Sequence, residues 1–115
     1  MLYMNTSETL RDGLYVLHVG EPRLDASKAP ELRVALLVPI EAGHKTMIVD
    51  LSEVRFMDSS ALGAFIFAAK KMGSVGSIAI VGLNGVVARL FKLTSMDKVF
   101  AIHPTIDAAA ATLGE

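Results

Sequence analysis

Apolar residues recur along this chain with two periods, and the places where the period changes divide it into elements. Tyr3 to Glu8 reads as a weak strand and Leu14 to Val19 as a stronger one, closed by Gly20. Arg11-Asp12-Gly13 between them is a turn in which Gly13 supplies a positive φ. So short a connection makes the two strands an antiparallel hairpin. Glu21 to Asp25 is a loop, and a helix is expected from about Ser27, with Pro30 in its first turn. Ala29, Leu32, Leu36 and Ile40 fall along one face of that helix. Pro39 removes the hydrogen bond to the carbonyl of Ala35, which predicts a kink or tightening before the stop at Ala42-Gly43.

From Thr46 onward strands and helices alternate. The strand Thr46 to Ser52 is apolar on the successive residues Met47, Ile48 and Val49, as in a strand covered on both faces. The helix after it carries Leu62, Phe65, Ile66 and Ala69 at core-facing spacing and ends at Gly73–Ser77. Ile78 to Val81 is the next strand. Gly82–Gly85 then turns into a helix with Val87, Leu90, Phe91 and Thr94 on one side. Val99 to Ile102 predicts a short last strand, and Pro104-Thr105 opens a closing helix that shows Ile106, Ala109, Ala110 and Leu113 on one face. The pattern as a whole predicts an α/β fold: one layer of mixed, mainly parallel sheet, an antiparallel hairpin at its start, and about four helices packed on it.

At 115 residues the chain is expected to form a single domain, 1–115, large enough for one core. A mean hydropathy of +0.48 raises the question of a membrane span. The longest apolar runs, such as Ala64 to Ala69, fall far short of the ~18–20 residues a span requires. The N-terminus has no basic segment followed by an apolar stretch, so no export signal is expected. Absence of cysteine excludes disulfides, thiol catalysis and cysteine metal sites, and fits a cytoplasmic protein. A net charge of −1, with no basic stripe beyond Lys70-Lys71, argues against nucleic acid as the main partner.

The candidate chemistry lies in Met57-Asp58-Ser59-Ser60-Ala61-Leu62-Gly63, between a buried-type strand and an amphipathic helix. One capping residue satisfies a helix start, so three in a row, Asp58, Ser59 and Ser60, are more than capping needs. If Asp58 or Ser60 caps, Ser59 is left free beside backbone N–H groups and the positive end of the helix dipole, where a phosphate is accommodated. Without a base or metal nearby, the hydroxyl reads as one that receives chemistry. Gly63 in mid-helix is explained by close packing against a neighbouring strand or by close approach of a partner backbone, the first being favoured.

Other sites fail on spacing. His18, His44 and His103 do not form a metal-ligand pattern. The serines lack the Gly-x-Ser-x-Gly turn of a hydrolase nucleophile, and no Lys-Ser or Lys-Thr follows the glycines at phosphate-loop spacing. Asp50 ends a strand like the acceptor of a receiver domain, but the acidic pair and late lysine that such a domain needs are missing.

Taken together, Arg23–Ser27, Ile48–Ser52, Phe56–Gly63, Ile80–Leu83, Val87–Phe91 and Asp97–Phe100 resemble the STAS family, specifically the bacterial anti-sigma factor antagonists. The likeness runs from about Thr9 to Leu113, and its most specific part is Asp-Ser-Ser-x-Leu-Gly. It implies a partner-switching module with no cofactor and no catalysis of its own. Unphosphorylated, such a module binds an anti-sigma factor that is also a serine kinase of the histidine-kinase-like ATPase fold. The kinase then phosphorylates the first serine, matched by Ser59, and a PP2C-type phosphatase resets it. The implied partner surface comprises Leu24, Asp25, Ser27, Asp58, Ser59, Ser60, Ala61 and Leu62. Ala61 stands where the family most often has glycine. A second reading is a STAS-like accessory subunit of a lipid-transport ATPase, docking through the same helix with no phosphorylation. Monomer and weak dimer both remain open.

Overall fold

The computed structural model describes residues 4–113. In chain order the elements are β1 (Thr6–Arg11), β2 (Leu14–Val19), β3 (Arg23–Leu24), α1 (Ala29–Glu41), β4 (Thr46–Asp50) and β5 (Phe56–Met57). They continue with α2 (Ser59–Met72), β6 (Ser77–Val81), α3 (Gly85–Leu93), β7 (Ala101–His103) and α4 (Ile106–Leu113). The main sheet has the order β1-β2-β4-β6-β7, with β1 antiparallel to β2 and the other pairs parallel. This is the mixed, mainly parallel layer that the sequence predicts.

Asp12 (φ 52°) and Gly13 (φ 81°) both adopt left-handed backbone, the two-residue turn whose twist matches that of a hairpin. Arg11 pairs with Leu14 directly beside that turn, so β1 occupies Thr6–Arg11 rather than the expected Tyr3–Glu8. Tyr3 lies outside the described residues.

Alternation along the strands builds two cores. Leu17, Val19, Met47, Val49, Ile78 and Ile80 face α1, α2 and α3, whereas Leu14, Val16, Ile48, Ala79 and Val81 face Ala109 of α4. The four helices thus divide, three on one face and α4 on the other. In the larger core Phe65 and Phe91 meet edge-on, as do Phe65 and Phe100, each pair with centroids 6.1 Å apart.

Several expected boundaries move for identifiable reasons. α1 begins at Ala29 because the N–H groups of Lys28 and Ala29 both turn back to the Asp25 carbonyl. It continues through the buried Pro39 to Glu41 and tightens at its end, where Gly43 N–H bonds to the Ile40 carbonyl at 3.1 Å. The buried face of α2 is Ala61, Leu62, Ala64, Phe65, Ala68 and Met72, so Ile66 and Ala69 lie at its margin, half-buried. Phe100 is drawn into the core and a short turn occupies Met96–Lys98, which delays β7 to Ala101–His103. Thr94 follows α3 and is exposed, its hydroxyl bonded to the Leu90 carbonyl at 2.6 Å. No helix among the described residues is long and apolar enough to cross a membrane.

Candidate functional site at the start of helix α2

The site is assembled by an element that periodicity does not reveal. Arg23-Leu24 and Phe56-Met57 pair as a two-residue parallel ribbon, β3 with β5, apart from the main sheet. The Arg55 and Phe56 N–H groups donate to the Pro22 carbonyl at 2.8 and 3.1 Å, and Asp58 N–H donates to the Leu24 carbonyl at 3.1 Å. The Arg23 guanidinium lies 4.1 Å from the centroid of the Phe56 ring. Leu24, fully buried, anchors the ribbon in the core. In this way the loop 24–27 is held beside the residue that opens α2.

That residue is Asp58, in extended backbone (φ −108°, ψ −177°). Its Oδ1 accepts the N–H groups of Ser60 and Ala61 at 2.9 and 3.2 Å, capping the helix. Its Oδ2 accepts the Ala26 N–H at 3.0 Å and so ties the loop to the cap. Asp25 faces its own loop. Its Oδ1 accepts from the Ser27 hydroxyl at 2.6 Å and the Ser27 N–H at 3.1 Å, while Oδ2 stands 3.8 Å from Arg23 Nε. The hydrogen bond from the Ser27 hydroxyl, helped by the Ser27 N–H and by Arg23 and Lys28 nearby, holds the Asp25 carboxyl below its ordinary value against the opposing effect of burial.

Ser59 is the first residue of α2 and is exposed, as is Ser60. Because Asp58 does the capping, the Ser59 hydroxyl is not required for the helix start. Three residues expected at a partner surface do not reach it. Leu24 and Ala61 are fully buried and Leu62 nearly so, with side chains in the core under the site. The polar surface available is Asp25, Ser27, Asp58, Ser59 and Ser60. The favoured reading of Gly63 also needs correction: a Cβ built there meets no atom within 4 Å, so strand packing does not require glycine.

A second layer of polar contacts was not anticipated from the sequence. Glu21 bonds Lys28 through one carboxylate oxygen and the Asn5 N–H through the other at 2.7 Å, and Glu31 accepts the Met4 N–H. The Lys28 hydrogen bond, then that of Asn5, holds the Glu21 carboxyl below its ordinary value. This brace fastens the segment before β1 to the root of the 24–27 loop. The only trace of it in the sequence is an opposite-charge pair, seven residues apart, flanking the loop.

The family model for the STAS domain matches residues 5–109. The chain belongs to the STAS family. This STAS domain is 29% identical over 101 residues to the anti-sigma-B factor antagonist of Staphylococcus aureus (strain NCTC 8325 / PS 47), covering 87% of this chain and 93% of the relative. An anti-sigma factor antagonist from Mycobacterium paratuberculosis superposes with a TM-score of 0.89 at 27% identity, covering 97% of this chain and 95% of the other. The Bacillus cell fate determinant SpoIIAA shares the fold, at 16% identity, in both its forms. Its unphosphorylated form has a TM-score of 0.70 and covers 94% and 96% of the two chains; its phosphorylated form has 0.71 and covers 95% and 99%.

Proposed function

We propose that this STAS domain is an anti-sigma factor antagonist that works in the cytoplasm as a phosphorylation-controlled binding module, not as an enzyme. With Ser59 unmodified it docks on an anti-sigma factor that is also a serine kinase of the histidine-kinase-like ATPase fold, freeing the sigma factor. Phosphorylation of Ser59 releases the partner, and a PP2C-type phosphatase restores docking. The observation that carries this reading is the division of labour at the helix start. Asp58 meets the backbone N–H groups of α2 and of the loop, while the neighbouring Ser59 is exposed and has no capping duty.

The physical consequence follows from charge. A phosphoserine adds about −1.5 to −2 charges at neutral pH. At the first residue of a helix the dipole favours that charge, so the fold is retained. In a docked complex the same dianion is desolvated beside the Asp58 carboxylate, with Asp25 in the adjoining loop, so that both neighbouring carboxylates carry its own sign of charge. A hundredfold loss of affinity corresponds to ~2.7 kcal/mol, within the range of one uncompensated interfacial charge.

Incubation with a purified serine kinase of the histidine-kinase-like ATPase fold from the same organism and with ATP, followed by peptide mass spectrometry, locates the acceptor. Phosphate on Ser59 is the expected result. Phosphate on Ser60 or Thr94 alone overturns the assignment. Co-purification with a membrane transporter in place of a soluble kinase replaces this reading with that of a docking subunit.

A further inference from the structure

Gly63 is anomalous. Glycine is among the residues least suited to a helix interior, and here its missing side chain is not demanded by any neighbour, since a Cβ would enter open space. That space is a groove of about 380 Å³ between α1 and α2, bounded by Ala26, Ala29, Pro30 and Arg33 on one side and by Ser60 and Gly63 on the other. It begins one residue from Ser59 and runs along the exposed side of α2.

The groove has a definite electrostatic character. No carboxylate lines it. The Arg33 guanidinium rests 4.2 Å from the centroid of the Phe67 ring, and Lys71 Nζ lies 5.6 Å from the same ring on its α2 side. Neither cation belongs to an ion pair among the described residues, whereas Arg11, Arg23 and Lys28 do. One unneutralised cation, Arg33, lines this channel of small residues and a second, Lys71, lies beyond it at the Phe67 ring, which matches a segment of opposite charge that comes close enough to touch helix backbone.

We propose that this groove seats an acidic segment of the same protein partner that reads Ser59, with its backbone against Gly63 and its carboxylates at Arg33 and Lys71. The proposal rests on the partner-switching reading and adds the chemistry of the surface engaged. It assigns Gly63 to recognition: the glycine is kept at a cost to the helix because any side chain obstructs the approach.

The test titrates the full chain into the purified serine kinase that modifies Ser59, at low and moderate salt, for wild type, Gly63→Ala, Arg33→Glu, Arg33→Lys and Ser59→Asp. Gly63→Ala is expected to raise Tm by about 4 °C, since alanine is the better helix former, and yet to weaken binding about tenfold. Arg33→Glu is expected to weaken binding at least tenfold and to flatten its salt dependence, with Arg33→Lys within about threefold of wild type. If Gly63→Ala and Arg33→Glu both bind like wild type while Ser59→Asp does not, the groove assignment is wrong and the Ser59 reading stands. A Gly63→Ala chain that melts below wild type also overturns it, because the glycine then has a structural reason. If Ser59→Asp binds as wild type does, the switch itself fails and the groove proposal falls with it.

Discussion

Two helices begin at the same end of the sheet, after consecutive parallel strands, and they begin differently. At α2 the cap residue Asp58 accepts two helix N–H groups and one from the neighbouring loop. At α3 the corresponding residue, Asn84, makes no side-chain bond to its helix. It turns its amide to the Gly82 and Ser52 carbonyls at 3.1 and 3.3 Å and accepts from Arg55 at 3.3 Å, joining two loops. The first residue of α2 is a serine with a spare hydroxyl; that of α3 is Gly85, at φ 53°. One helix start is over-provided with polar groups, the other merely closed. That contrast separates a site from a turn.

The contrast breaks most visibly on binding. Ser59→Asp should lower affinity for the kinase by about a hundredfold, ~2.7 kcal/mol, with Tm changed by no more than a few degrees. Ser59→Ala should bind like wild type and be immune to switching off, so that sigma-dependent transcription stays on; a reporter assay reads both outcomes. Next in size is the cap. Asp58→Ala should cost about 1–2 kcal/mol of stability in urea unfolding, since it removes the cap and leaves the Ala26 N–H unpartnered. Asn84→Ala, its counterpart at α3, should cost about 0.5 kcal/mol, because two of its three bonds are exposed and none caps the helix. Equal losses at the two positions would erase the distinction drawn here.

The smallest effect concerns the brace behind the loop. Bonds to Lys28 and Asn5 favour the Glu21 carboxylate in the folded state, placing it below its ordinary value of 4.5. The stabilisation it provides is therefore complete above pH 4.5 and is lost as the pH falls through the lowered value. Protection of the Asn5 amide against exchange, relative to its intrinsic rate, should fall on acidification in that window, and Glu21→Gln should abolish the dependence.

How much of this was legible in the sequence depends on the kind of residue. Met47, Ile48 and Val49, apolar in succession, identified a strand covered on both faces, and the Asp12-Gly13 turn identified the hairpin. The face of α2 was misplaced because Ala61, Ala64 and Ala68, too small to dominate a periodicity, occupy as many of its buried positions as the large side chains Leu62, Phe65 and Met72. The β3–β5 ribbon was invisible, since two residues make no period and its partners are 33 positions apart in sequence, Arg23 with Phe56. Yet that ribbon brings the Asp25 loop to Asp58. The acidic and hydroxyl residues could be named from the sequence, but which of them are buried could not. Leu24, Ala61 and Leu62 lie under the surface that Asp58 and Ser59 form.

The central claim is that a phosphate on the Ser59 oxygen breaks docking while leaving the fold intact. The most direct measurement compares chain phosphorylated at Ser59 with unphosphorylated chain in calorimetric titrations against the kinase, with amide spectra recorded for both. The account predicts at least a hundredfold weaker binding, with spectral changes confined to residues around 24–27 and 58–63. Equal affinity for the two forms, or a phosphorylated chain whose spectrum shows α2 unfolded, would contradict it.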